Sequence, residues 1–308
     1  MIFVLAAFAL VIVLLALVIG SMCLMLRRQA QLYEIHLDSV KENATMLLNI
    51  KDYVKAKKEK LKENIEYFFK DSPPQLAIIQ VGNVEASNRY VTNKIKDCAE
   101  VGIIAHRYGY DEEITEEELL WEVEDLCKHY NGVIVQLPLP DHISAERVAA
   151  AITPIKDVDG FHPMSWYKPA TPLGIMNYLR DCGFDFDGAH VVIIGRSEIV
   201  GKPLAQMMTN ENATVTLCHS HTKRLWDHIR SADLVVSAVG KANFLNCYSI
   251  HVPVVDVGIN FNEEGKLCGD CFNVEDREVT PVPGGVGLLT RLALLENTYK
   301  ARVAQNDE

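Results

Sequence analysis

The chain has 308 residues, 49% of them apolar, which is enough for about two domains with real cores. Its 41 acidic residues outnumber 30 basic ones, for a net charge of −11. That balance argues against a nucleic-acid partner, because phosphate binding needs a basic face.

Residues Ile2 to Leu26 carry no charge and are almost all apolar. As a helix this run measures about 37 Å, against about 30 Å for a hydrocarbon core. Arg27-Arg28 follows at once. Three readings compete. A cleaved signal peptide wants positive charge before a shorter run and a small-residue cleavage site. A single-span anchor fits the length, and charge after the span places the rest of the chain on the cytoplasmic side. An upstream extension from a misassigned start is the third, and leaves a plainly cytoplasmic protein. The length rule favours the anchor. One transmembrane helix is therefore expected over residues 1–26 and a stalk over 27–44. Residues 29–70 are polar, helix-prone and lysine-rich, which fits a solvated helix face. The later part is expected to pack on the first domain.

After Ser72-Pro73-Pro74 the chain alternates strands and helices. Leu76–Val81 reads as a strand, Ser87–Val101 as a helix and Ile103–Tyr108 as a second strand. Glu116–Tyr130 reads as an amphipathic helix, opened by Thr115 with Glu118 at capping-box spacing. Gly132–Leu137 is a buried strand stopped by Pro138, and Ser144–Ile152 is helical. Asp157–Pro172 lacks periodicity and marks the domain boundary. Beyond it, Pro172–Cys182 is predicted helical, with Pro in its first turn. Strand His190–Gly195, helix Val200–Thr209, three short strands (Ala213–Cys218, Asp233–Val239, Pro253–Val257) and a last helix Leu288–Ala304 follow. This alternation implies parallel sheets covered on both faces. The expected architecture is two α/β domains with a cleft between them, the second Rossmann-like. The boundaries are 45–165 for the first domain, with helix 288–304 returning to it, and 166–287 for the second.

Eight cysteines are scattered without the spacing of a disulfide framework, which points to a reducing compartment. Cys268-Gly269-Asp270-Cys271 is a lone C-x-x-C with no second pair, so two cysteines in or beside a short strand explain it better than a redox or zinc site. His219 and His221 lack a ligand set around them, and no metal is expected. Gly195-Arg196-Ser197-Glu198-Ile199-Val200-Gly201 lies between a strand and a helix. Glycine and helix N–H groups suit a phosphate there. Arg196 is placed to meet a ribose 2′-phosphate, favouring NADP over NAD. An ordinary βα turn with a surface arginine has the same spacing.

Tyr90 and Lys94 lie four residues apart on one helix face. Gln136 ends an apolar strand, Asp159 sits in an Asp-Gly turn, and Pro281–Gly287 is a glycine-rich loop. Taken singly, each has a bland explanation: surface packing, a satisfied core amide, a turn. Together with Val133–Pro140, Lys156–Gly160, Gly195–Ser197, Cys218–Ser220 and Asp256–Asn260, in this order, the chain from about residue 45 to 303 resembles the bifunctional methylenetetrahydrofolate dehydrogenase/methenyltetrahydrofolate cyclohydrolase family.

The resemblance implies hydride transfer from 5,10-methylenetetrahydrofolate to NADP, then hydrolysis of the methenyl product to 10-formyltetrahydrofolate, in the one-carbon metabolism that feeds purine biosynthesis. It implies catalytic roles for Lys94, Tyr90, Gln136 and Asp159. Lys94 would activate water or assist proton transfer with Gln136 as its partner, and Tyr90 would stack on the folate. Asp159 would accept hydrogen bonds from the amino-pyrimidine edge. Pro283, Gly284 and Gly285 would approach the substrate. Gly195, Arg196, Ser197, Ser220 and Ile259 would hold the cofactor. A homodimer is implied as well. The 160–171 segment is shorter than in the family, Ala170 stands where cysteine is common, and Leu288 replaces a usual proline. A monofunctional dehydrogenase and an inactive tethered scaffold are the rivals; the retained Lys94 and the intact polar set speak against them.

Overall fold

A computed structural model of the protein describes residues 49–275 and 277–305. The span assigned to 1–26 and the stalk over 27–44 lie outside the described residues. Among the described residues no helix is long and apolar enough to cross a membrane. The expected architecture is therefore corrected to two α/β domains among the described residues, with no transmembrane helix among their elements. The longest described helices, of 19 residues each, interrupt their apolar faces with charge: lysines in one, Arg291, Glu296, Lys300 and Arg302 in the other.

The first sheet has three parallel strands in the order β2-β1-β3: β1 (Gln75–Val81), β2 (Ile104–Tyr110) and β3 (Gly132–Val135). β1 and β3 are buried along nearly their whole length, as an apolar run between two helix layers requires. Around them pack α1 (Ile50–Phe68), α2 (Glu85–Val101), α3 (Glu116–His129) and α4 (Ala145–Ala151). The capping box at α3 forms: the Glu118 N–H donates to Thr115 Oγ1 at 3.2 Å, and the Thr115 N–H to Glu118 Oε2 at 3.0 Å.

The second sheet runs β5-β4-β6-β8, all parallel: β4 (His190–Ile194), β5 (Thr214–Cys218), β6 (Leu234–Ser237) and β8 (Val254–Asp256). Its helices are α5 (Ala170–Asp181), α6 (Gly201–Asn210) and α7 (Leu225–Arg230). α5 begins two residues before the expected Pro172, because Pro169 at the cap and Pro172 in the first turn need no donor there. Strand pairs β7 (Leu245–Asn246) with β11 (Cys271–Phe272) and β9 (Asn260–Phe261) with β10 (Leu267–Cys268) edge this domain.

Three helices tie the two cores together. α1 sends Ile50 and Val54 into the second domain's core and Leu61 and Ile65 into the first. The later part of the segment thus packs on the first domain as expected, and its start serves the second as well. α8 (Val286–Ala304) does the same, with Val286, Leu289 and Leu292 in the second core and Ala293, Leu294 and Leu295 in the first. Gly174 of α5 lets it pack directly on α8, where a Cβ would meet the Leu289 carbonyl carbon at 2.7 Å. The short 160–171 connection closes tightly. Gly160 has φ +76°, and a Cβ there would lie 2.6 Å from the Pro169 nitrogen. Buried Asn297 of α8 stitches the connection by donating to the Val158 carbonyl at 2.9 Å and the Lys168 carbonyl at 3.2 Å.

Candidate active site

In each sheet the chain leaves the central strand for one neighbour and returns on the other side, so a crevice opens at the carboxyl ends. Between the two crevices lies a cleft of about 580 Å³. Its first-domain wall carries Ser87, Tyr90, Asn93, Gln136 and Pro138. Its second-domain wall carries Asp256–Ile259 and the Pro281–Leu288 loop.

Tyr90 and Lys94 share a face of α2. Lys94 is only 8% exposed; among the described residues its Nζ makes no hydrogen bond, and it lies 3.8 Å from Asp159 Oδ2. Asp159, 9% exposed, is held by the turn beneath it. There the buried Asp157 accepts from the Gly160 N–H at 3.1 Å and the His162 N–H at 2.7 Å. Burial pushes the Asp157 carboxyl above its usual range. Asp159 also lines a smaller hollow of about 130 Å³, which shares Leu137 with the main cleft and meets Glu198 and Ile199 of the second domain. Gln136 donates to the Leu137 carbonyl at 2.8 Å, while its buried Oε1 has no protein partner. The structure thus sets Lys94 beside Asp159 rather than hydrogen-bonded to Gln136, whose amide is turned along its own strand end. Burial raises the Tyr90 phenol above its usual value, and the Arg291 charge partly opposes this.

On the facing side Gly195 follows β4 with φ +121°, and a Cβ there would overlap the Ala238 carbonyl beyond β6. Only glycine fits where the two strand ends meet. Ser197 Oγ accepts from the Val200 N–H at 3.2 Å, capping the entry to α6, and Lys202 pairs with Glu198. Arg196 is exposed and forms no ion pair among the described residues, which leaves its guanidinium for a phosphate. Ser220 lies in the turn beyond β5, and Ile259 is 43% exposed at the cleft wall. Pro283, Gly284 and Gly285 line the cleft from the loop before α8. The donor-rich glycine turn and free guanidinium fit a phosphorylated dinucleotide. Among the described residues no cluster of three or more His, Cys, Asp or Glu side chains is arranged to hold a metal.

Four residues of the site escape a reading by motif. Asp97 lies three residues beyond Lys94 and seven beyond Tyr90, so helical spacing alone puts it on the same face. It is buried, and pairs with Lys58 at 2.6 Å and Arg291 at 3.1 Å. Arg291, from the second turn of α8, lines the cleft; a lone charge amid Leu288–Leu295 was its only signal. Asp256 opens the Asp256–Asn260 motif but is given no role by it, and Asp270 has no local signature. Asp256 accepts the N–H groups of Gly258, Asp270 and Cys271 at 2.9, 3.0 and 2.9 Å. Asp270 accepts those of Val239 and Lys241 at 2.7 and 2.8 Å and the Asn260 amide at 3.1 Å. The two buried carboxylates fasten the cofactor-side loops to one another.

Residues 48–159 match the catalytic domain of tetrahydrofolate dehydrogenase/cyclohydrolase, and residues 169–306 match the NAD(P)-binding domain of the same family. The chain is 43% identical over 273 residues to the bifunctional protein FolD of Bacillus velezensis, covering 83% of this chain and 96% of that one. The bifunctional FolD structure of Campylobacter jejuni superposes with a TM-score of 0.79 at 41% identity, over 83% of this chain and 98% of the other. The Trypanosoma brucei FolD structure, complexed with NADP cofactor and inhibitor, superposes with a TM-score of 0.78 at 32% identity, over 83% and 97%.

Proposed function

The chain belongs to the tetrahydrofolate dehydrogenase/cyclohydrolase family and is a bifunctional, NADP-dependent methylenetetrahydrofolate dehydrogenase and methenyltetrahydrofolate cyclohydrolase; on that premise we propose how its residues divide the two reactions. The reduced pteridine lies in the cleft with Tyr90 stacked against it. Asp159 accepts from the amino-pyrimidine edge, and the unpartnered Gln136 Oε1 accepts one further donor. NADP, when bound, supplies the hydride acceptor. Gly195, Arg196, Ser197, Ser220 and Ile259 hold it, with Arg196 on the 2′-phosphate. Pro283, Gly284 and Gly285 close against the pteridine from the second domain.

Hydrolysis of the methenyl cation needs a positioned water and a group to take its proton. Lys94 carries that work. The observation behind the assignment is an amine 8% exposed, without a hydrogen bond among the described residues, 3.8 Å from the carboxylate that reads the pteridine. Bound substrate competes with Lys94 for Asp159, which leaves the amine facing the reacting carbon's water. The product donates formyl groups, the use made of them in purine biosynthesis. A homodimer is the proposed assembly, and sedimentation at twice the chain mass tests it.

The function is tested by a spectrophotometric assay of the purified protein with methylenetetrahydrofolate and NADP or NAD side by side, followed by methenyl hydrolysis. Oxidation with NADP and loss of the methenyl absorbance are expected. Oxidation without hydrolysis would leave a monofunctional dehydrogenase and remove the role given to Lys94.

A further inference from the structure

We propose that Arg291 is a substrate-binding residue that takes a carboxylate of the folate's glutamate end, a role that rests on the reading of the cleft as a folate site. Arg291 enters the cleft wall from α8, beside Tyr90 and Asn93. Its side chain is 17% exposed. Its Nε forms an ion pair with Asp97 Oδ2 at 3.1 Å, and the other Asp97 oxygen is held by Lys58 Nζ at 2.6 Å. Lys58 also pairs with Glu100 at 2.7 Å, so the two cations face two anions and the arginine's stem is held in place. Among the described residues its two terminal nitrogens make no hydrogen bond.

A half-buried guanidinium with an idle edge carries a desolvation cost that a partner would offset. The cleft wall offers none. Its one carboxylate among the lining residues, Asp256, is engaged by three backbone N–H groups. Arg89, the other lining cation, is committed to Glu85 at 2.5 Å. The wall is therefore left with a planar donor pair that has no partner among the described residues, which matches a carboxylate in two parallel hydrogen bonds. A folate presents donors at its amino-pyrimidine edge, which suit Asp159, and carboxylates only at its glutamate end. Charge complementarity thus sends the two ends of one ligand to two different residues.

The test uses the full-length protein, its Arg291→Gln and Arg291→Lys variants, and two substrates: methylenetetrahydrofolate and the same compound with its glutamate carboxylates converted to amides. Wild type is expected to prefer the dicarboxylate in KM by roughly 10- to 100-fold, the worth of hydrogen bonds to a charged group. Arg291→Gln is expected to erase that preference, leaving kcat, the NADP KM and the diamide KM within about twofold of wild type. Arg291→Lys keeps a cation for Asp97 but loses the fork, so it retains the fold and part of the preference. Equal losses on both substrates, or a rise in the NADP KM instead, would overturn the proposal, since the arginine would then serve the ring, the fold or the cofactor. An unchanged dicarboxylate preference in Arg291→Gln would overturn it as well, with the folate site intact. A wild type that neither binds nor oxidises either folate would remove the reading of the cleft itself.

Discussion

The two sheets share one plan, a parallel core with a crevice at its switch point, yet they treat their functional side chains in opposite ways. On the first sheet's side Lys94, Asp97, Asp157 and Asp159 are all buried. On the second, Arg196, Ser197, Ser220 and Ile259 are exposed, and the buried carboxylates Asp256 and Asp270 serve the loops beneath them. The difference follows from the tasks. Proton transfer needs a desolvated group in fixed geometry. A dinucleotide that arrives and leaves each turnover needs accessible donors on a rigid frame. The first domain spends stability on unpaired polarity; the second keeps its charges wet.

The sharpest way to break this contrast is Lys94→Ala. Cyclohydrolase activity is expected to fall by about 10²- to 10⁴-fold, the range of a lost acid–base group. A variant that still hydrolyses the methenyl compound at the wild-type rate would show that the buried side does not carry the proton. Next comes Arg196→Gln on the exposed side. It is expected to lower kcat/KM with NADP by roughly 10- to 100-fold while leaving NAD unaffected. Parallel assays with the two cofactors decide this, and equal losses would refute a 2′-phosphate contact.

Gly174→Ala probes the bridge that holds the two sides in register. Overpacking against the α8 backbone at Leu289 is expected to remove about 1–3 kcal/mol of stability, read as a lower midpoint in urea with an unchanged slope. The smallest effect concerns Tyr90, where burial holds the phenol neutral beyond its usual range. The folded pKa lies above the unfolded one, so the associated stability is complete below about 10 and fades as pH climbs through the folded value. Ultraviolet titration against a Tyr90→Phe control should show this phenol ionising late. Arg291→Gln should delay it further, because the opposing positive charge is gone.

Much of this layout was legible in the chain. The run Gly132-Val133-Ile134-Val135 predicts a strand buried on both faces, and it is one. Thr115 and Glu118 predict the start of α3, since capping is a contact between neighbours in sequence. The Tyr90–Lys94 spacing places both on one helix face for the same reason. The apolar run at 2–26 supplied length and hydrophobicity, and the transmembrane helix drawn from it is not among the described elements, none of whose helices is long and apolar enough to cross a membrane. The Lys94–Gln136 pairing implied by resemblance is not formed: Lys94 lies 3.8 Å from Asp159, while Gln136 donates to the Leu137 carbonyl and its Oε1 stays open.

Period, caps, glycine turns and the order of the motifs belong to the sequence by itself: they are local, and helix and strand geometry converts spacing into facing. They determined the element order, the two α/β domains and the family of reactions. Only the tertiary structure decided that α8 serves both cores, that Asp97 steadies Arg291, and that Asp256 and Asp270 lock loops distant along the chain. The Asp97–Arg291 contact alone joins residues 194 positions apart, and no periodicity reports a partner that reaches its neighbour only after the chain has closed.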